Sequence, residues 1–402
     1  MSSALFADVA LAPRDPILGL TEAFVADTRP DKVNLGVGVY LNNEGKVPLL
    51  DAVRQAERER LELAPPRGYL PIEGFADYNK AVLNLLFAAH QDLIAAGRCA
   101  SFEALGGTGG LKIGADFIKR MKPEATVWIS DPSWENHRAL FEAAGFPVKS
   151  YAYYDATSHG VRFEALLADI QAMRAGDVIV LHACCHNPTG VDFSEPQWRA
   201  VIDAVGRQQL IPFLDLAYQG FAEGITEDAI ALNLLASSGQ SFFVSSSFSK
   251  SFSLYGERIG ALSVVTQDKD ETARVVSQVK RVIRTNYSSP PTHGAAVVAA
   301  VLTTPAMRQT WEKELGQMRE RIREMRRGFV DGLKALGVNR DFSFVIQQRG
   351  MFSYSGLNSE QVDRLREAFG IYAVSSGRIC LAALNTRNLG SVCEAIAKVL
   401  YT

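Results

Sequence analysis

Residues 242–260, FFVSSSFSKSFSLYGERIG, decide how the rest of this chain is read. Phe242-Phe243-Val244 has the apolar, β-favouring character of a buried strand nearing its end. Three small hydroxyl residues follow, Ser245-Ser246-Ser247, and then Phe248-Ser249-Lys250. Lys250 is a single cation among hydroxyls and aromatic rings, with no acid beside it in sequence. A lysine held in apolar surroundings has a lowered pKa, which makes its amine a nucleophile. Further on stands Arg258, in Gly256-Glu257-Arg258-Ile259-Gly260. Hydroxyls, an amine and a guanidinium so grouped could hold a phosphate next to an aldehyde. That is the chemistry of pyridoxal phosphate, bound to a lysine as an imine with its phosphate anchored by hydroxyls and arginine. On its own the segment is equally compatible with a polar turn carrying an incidental lysine.

Bulk properties narrow the classes. At ~150 residues per domain, 402 residues suggest two or three domains. Hydrophobic content of 47% and charged content of 21% suit a globular protein with a large core. Lys+Arg 42 against Asp+Glu 44 leaves −2, so no polyanionic partner is implied. The most basic segment, Arg319–Arg327, alternates with Glu and apolar residues and reads as a solvated helix face. Five cysteines argue against a disulfide framework and for a reducing compartment. Cys184-Cys185 lacks the CxxC spacing of a zinc or redox site and reads as core, so no metal is expected. Asp8 interrupts the short apolar run at the N-terminus, which has no basic leader, so no signal peptide is expected. Ala295–Leu302 is far too short to span a bilayer. A cytoplasmic location is the expectation.

Residues 15–20, DPILGL, read as an arm leading into a helix over 21–27. Val33–Tyr40, VNLGVGVY, has a strand pattern broken by Gly36 and Gly38, a sign of a bulge or of close approach to a ligand. Helices are expected over 50–63 and 77–95, with Tyr69 in the Gly/Pro loop between them. Gly106-Gly107-Thr108-Gly109-Gly110 precedes a helical pattern over 111–121. Such a turn offers free N–H groups and the positive end of a helix dipole to an anion. It is neither GxGxxG nor a Walker A loop, and it is compatible with a purely structural turn.

Strands and helices then alternate: TVWIS (126–130), 148–151, DVIVL (177–181), IPFL (211–214), 242–245 and 259–265 read as strands. Apolar strands alternating with helices indicate a mostly parallel sheet covered on both faces. Ligands bind such sheets beyond the C-terminal strand ends. Trp134, Asn187, Asp215 and Lys250 each lie just past an expected strand end. Asp215 could keep a pyridine nitrogen protonated, Tyr218 and Asn187 could bond the ring oxygen, and Trp134 could stack on the ring. Gly107, Thr108, Ser247 and Arg258 would hold the phosphate. Further on, Met307, Trp311, Leu315, Met318, Ile322, Met325, Phe329, Leu333 and Leu336 step by three or four residues. They mark a long amphipathic helix, a connector into a smaller domain. Two strands (342–346 and 351–354), a helix (359–369), two more strands (371–374 and 379–383) and a last helix (389–400) complete the chain.

The motifs NLGVGVY, GGTGGLK, DPSWENH, CCHNPTG, DLAYQGF, SSSFSKSFSLYGERIG, NYSSPP and SSGRICLA resemble those of the class I (subgroup α) aminotransferases of fold type I, over nearly the whole chain. The resemblance implies an α/β fold: a large domain, residues 49–300, with a mostly parallel seven-stranded sheet between helices, and a smaller α/β domain from residues 1–48 and 301–402. It implies pyridoxal 5'-phosphate on Lys250, which would also carry the substrate's proton. It also implies Arg378 at the substrate α-carboxylate, supported by Gly38 and Asn187. A homodimer is implied as well, with Tyr69 reaching the phosphate and Arg284 a distal carboxylate of the neighbouring subunit. Within the family the chain is more similar to aromatic (tyrosine-type) members, through YLPIEG, FLDLAYQGF and QRGMFSYSGL. Apolar Leu41 and Val47 at the expected entrance point the same way, whereas Val39 and Thr108 look like the aspartate-type pattern. The expected activity is therefore transfer of the amino group of Phe, Tyr, Asp or Glu to a 2-oxo acid. An aspartate aminotransferase is the alternative, and a lyase or decarboxylase on the same fold a more distant one.

Overall fold

The computed structural model describes residues 5–12 and 17–401. Residues 15 and 16 of the expected arm lie outside the described residues. Seven strands form one sheet: β1 (Cys99–Leu105), β2 (Val127–Asp131), β3 (Val148–Ala152), β4 (Val178–His182), β5 (Ile211–Leu216), β6 (Phe242–Ser247) and β7 (Ile259–Val265). Their spatial order is β1-β7-β6-β5-β4-β2-β3. β7 runs antiparallel to both its neighbours, and every other adjacent pair is parallel.

Side chains alternate across such a sheet, and here both faces are apolar. Val178, Val180, Phe213, Phe243 and Leu262 face one core, which helices α1 (Gly106–Met121), α2 (Glu135–Ala143) and α3 (Lys269–Asn286) close with Ile113, Phe117, Phe141, Val279 and Ile283. Ile179, Leu181, Leu214, Phe242 and Val244 face the other, against Trp198, Leu232 and Val298 from the helices on that side. Helix α4 (Pro305–Ala335) starts with Pro at its first turn and buries Met307, Trp311, Leu315, Met318, Ile322, Met325, Phe329 and Leu333, the expected stripe. Leu336 falls at the C-cap and is exposed. At 31 residues, α4 is about 46 Å long. The chain ends meet beyond it. Val33–Asn34 pairs in parallel with Ile371–Tyr372, and β8 (Phe352–Tyr354) pairs antiparallel with β9 (Arg378–Cys380).

Several expectations are corrected. The strand over 33–40 stops at Asn34, whose Oδ1 accepts from the N–H groups of Gly36 and Val37 and so turns the backbone away from the ladder. The helix over 77–95 is two, Ala76–Leu86 and Gln91–Ala95, broken where Phe87 packs edge-on against Phe242 at 6.2 Å. Residues 344–347 form a helical turn instead of a strand, after Asp341 accepts from the Ser343 N–H and hydroxyl. Strand β1 and helix Ile230–Ser238 were not signalled. Helix α1 begins at Gly106, so the glycine run is its first turns and not a loop.

Those glycines let α1 lie directly on the sheet. A Cβ at Gly110 would come within 2.6 Å of Ser245 Oγ, and one at Gly114 within 2.5 Å of the Phe213 ring. Gly114→Val is therefore expected to overpack the α1–sheet contact and destabilise the fold by ~1–3 kcal/mol. Denaturant unfolding measures it; an unchanged midpoint would contradict this packing.

Candidate active site

The strand directions set the site. The C-terminal ends of β1, β2, β4, β5 and β6 lie along one edge of the sheet, and reversed β7 brings its beginning to the same edge. Register completes the arrangement: Asp215 sits between His182 and Ser245, and Gly260 sits opposite Ser247. One cleft at this edge is lined by Lys250, Asp215, Tyr218, Trp134, Asn187, Gly107, Thr108, Ser247, Arg258, Gly38 and Arg378. The structure thus brings together every residue expected to hold cofactor or substrate except Tyr69 and Arg284. Tyr69 is fully exposed, and exposed Arg284 bonds the Ser288 hydroxyl on its own surface. Leu41 and Val47 do not line the cleft. Leu41 packs against the main core, and Val47 is exposed.

The floor of the cleft is a buried acid. Asp215 Oδ2 is 2.8 Å from His137 Nε2, and His137 Nδ1 is 2.9 Å from Ser133 Oγ. A carboxylate only accepts, so Nε2 carries the proton of that bond. Burial alone would raise the Asp215 pKa, but the His137 hydrogen bond, His137's charge and the positive charge of Lys250 together bring it below the ordinary value. His182 stands beside this pair, its ring 5.0 Å from that of His137. Burial, reinforced by the charge of His137, lowers its pKa to about 3, so it is neutral.

Lys250 sits on the turn after β6, its Nζ 4.7 Å from the centre of the Tyr218 ring. Burial lowers its pKa to about 8; Asp215 opposes that shift and Arg258 adds to it. Helix α4 braces the turn from behind. Trp311 Nε1 donates to Ser251 O at 2.7 Å, and its ring stacks on Phe252 at 4.6 Å. Tyr218 is buried, which raises its phenol well above 10.

Two groups of free or cationic donors flank the amine. Leu105 gives α1 no side-chain cap, so the N–H groups of its first turn remain for an external acceptor. Arg258 lies so close that a Cβ on Gly106, whose φ is +71°, would meet its Nη2 at 2.6 Å. On the other side Arg378 is buried, with Nη1 donating to Asn187 Oδ1 at 3.2 Å and Nη2 to Gly36 O at 2.6 Å. Its Nε has no partner among the described residues. Gly36 O is the backbone acceptor for Arg378, and Gly38 lines the cleft beside it. Phe352 lies against the Arg378 guanidinium at 4.5 Å, and a Cβ at Gly38 would meet its ring at 2.8 Å.

Sequence reasoning missed His137, His182 and Phe352. His137 stands within DPSWENH, and Phe352 within QRGMFSYSGL, but only the tertiary structure gives them partners.

A lysine with a depressed pKa, a buried ionised acid, and an uncapped helix start beside an arginine fit the amine-capturing carbon, the ring nitrogen and the phosphate of pyridoxal phosphate. The comparisons agree. The sequence matches the family described as Aminotransferase class I and II over residues 30–396. It is 64% identical over 396 residues to an aspartate aminotransferase of Pseudomonas aeruginosa, covering 98% of this chain and all of the relative. It is 51% identical to an aromatic-amino-acid aminotransferase of Escherichia coli, covering 96% and 98%. The crystal structure of an aromatic-amino-acid aminotransferase from Burkholderia pseudomallei, covalently bound to pyridoxal phosphate, superposes with a TM-score of 0.97 at 64% identity, over 99% of this chain and all of that one. The chain belongs to the class I and II aminotransferases, and it is a pyridoxal-phosphate-dependent transferase.

Capture of free pyridoxal by the cofactor-free protein should quicken as pH rises and level off above about 8, as Lys250 loses its proton. In Asp215→Asn the inflection should move down, because the carboxylate that favours the ammonium is gone. Stopped-flow absorbance across pH reads both; an upward shift would contradict the pairing.

Proposed function

We propose that this chain is an aromatic-amino-acid aminotransferase that also accepts aspartate and glutamate and passes the amino group to a 2-oxo acid such as 2-oxoglutarate. The observation that carries it is the buried Arg378 fork beside the Lys250–Asp215 pair in one cleft. Relatives at 64% identity bear both names, aspartate and aromatic-amino-acid aminotransferase, which supports a site serving both substrate types. Aspartate aminotransferase is the second reading, and the position of Leu41 and Val47 outside the cleft favours it.

When bound, pyridoxal phosphate supplies an aldehyde carbon that captures amines and a ring that accommodates the electron pair left at Cα. Arg378, held by Asn187 Oδ1 and Gly36 O, binds the substrate α-carboxylate, supported by Gly38 and Asn187. Lys250 Nζ, whose pKa burial brings down to about 8, would be the group that moves the substrate's Cα proton. Asp215, kept ionised by His137, would hold the proton on the ring nitrogen. Tyr218 and Asn187 would donate to the ring oxygen, and Trp134 would stack on the ring face. Gly107, Thr108, Ser247 and Arg258 would hold the phosphate, joined by the partner subunit's Tyr69. The partner subunit's Arg284 meets a distal carboxylate. The exposure of both side chains on the single chain supports this homodimer.

In the same reading, residues 49–300 form the large domain, and 1–48 with 301–402 the N-terminal arm and small domain. The pairing of Val33–Asn34 with Ile371–Tyr372 supports that division. Five unpaired, buried cysteines support a cytoplasmic location. No helix among the described residues is long and apolar enough to cross a membrane.

Mixing the loaded enzyme with Phe, Tyr, Asp or Glu, without any oxo acid, tests the substrate range. Complete bleaching of the cofactor absorbance by all four is expected. Bleaching by Asp and Glu alone would make it an aspartate aminotransferase.

A further inference from the structure

Arg326, on α4, is buried at 2% exposure and forms no ion pair among the described residues. Its guanidinium is spent on backbone: Nη1 donates to Val345 O at 2.8 Å, and Nη2 to Gly350 O and Phe352 O at 2.7 Å each. A buried charge is costly, and an apolar side chain of similar size would pack here at lower cost. What the arginine supplies is three donors' worth of anchoring for a segment with little regular structure.

That segment is tightly boxed. Arg349 N–H donates to Gly190 O at 2.7 Å. A Cβ at Gly190, in the turn after Asn187, would meet Phe352 O at 2.8 Å, and one at Gly350 would meet Cys185 Cβ at 2.5 Å. Phe352 pairs across the β8–β9 ribbon with Cys380, and the ribbon's other edge is fixed by Cys380 N–H donating to Leu35 O at 2.8 Å. The Phe352 ring then rests against Arg378 and edge-on to Tyr218 at 6.0 Å.

We propose that Arg326 is a positioning residue for carboxylate recognition: by clamping the carbonyls of 345–352 it fixes the Phe352 ring, which in turn sets the orientation of Arg378. This rests on the assignment of Arg378 to the substrate carboxylate. It acts two contacts away from the substrate, and Arg326 touches neither substrate nor cofactor.

The test uses the loaded enzyme with Arg326→Gln and Arg326→Lys, each alone and combined with Phe352→Leu. Succinate, an unreactive dicarboxylate, is the probe, and calorimetry reads its binding. In folded variants, checked by circular dichroism, succinate affinity should fall about tenfold. KM for glutamate and 2-oxoglutarate should rise similarly, with kcat changing less, and Lys should restore part of the Gln loss. The Phe352→Leu effect should be mostly absorbed in the double variants, since both changes loosen the same contact. Wild-type succinate affinity in a folded variant whose Tm alone has dropped would overturn the proposal, as would full additivity with Phe352→Leu. If Arg326→Gln fails to fold, Arg326→Lys decides by the same two readings. Arg378→Lys in parallel separates the two levels. Unchanged succinate binding there would remove the carboxylate assignment itself, whereas weakened binding there with none in the Arg326 variants would remove only the role of Arg326.

Discussion

The 2.8 Å hydrogen bond between His137 and Asp215 is the interaction on which the site depends. Burying a carboxylate favours its neutral form, and a neutral Asp215 could neither hold a proton on a ring nitrogen nor attract Lys250. His137, held in turn by Ser133, keeps the charge in place. Lys250 then balances burial, which pushes its pKa down, against Asp215, which pulls it up, and settles at about 8. An amine with that pKa can both lose and regain a proton near neutrality, as transamination requires.

Sheet topology makes that pair possible. Asp215 comes from β5, His137 from α2 after β2, and Lys250 from the turn after β6, so three separate crossings must end at one edge. The reversal of β7 adds Arg258 to that edge without a further crossover. The second guanidinium comes from elsewhere: Arg378 lies on the β8–β9 ribbon and reaches Gly36 O from the N-terminal stretch and Asn187 from the loop after β4. The cleft is therefore the place where the chain's ends close over the sheet, and α4, packed behind both the Lys250 turn and the 345–352 segment, ties the two parts together.

How much of this was legible in sequence followed from how local its causes are. Strands such as DVIVL and IPFL declare themselves by continuous apolar character, and the chemistry-bearing residues just beyond them were found for that reason. β1, CASFEAL, did not, because buried Glu103 interrupts it; its carboxyl, pushed up to about 7 by burial, accepts from the Phe75 N–H, a partner far away in sequence. The alternating FSFVI pattern reads as a strand, but Asp341 accepts from the Ser343 N–H and hydroxyl, and the chain enters a helical turn at Phe344. The glycine run reads as a turn before a helix, and its helical start follows from the close approach of α1 to Ser245 and Phe213. His137 and His182 carry no local signature, because a histidine beneath a cleft acquires its function from what it faces.

Where the cofactor is held tests the central claim most directly. The loaded protein is reduced with borohydride, digested, and its peptides analysed by mass spectrometry for the phosphopyridoxyl group. The label should fall on Lys250 alone, and Lys250→Ala should carry none. Label on another lysine, such as Lys112 in α1, or retained labelling in Lys250→Ala, would contradict the placement of the chemistry in this cleft.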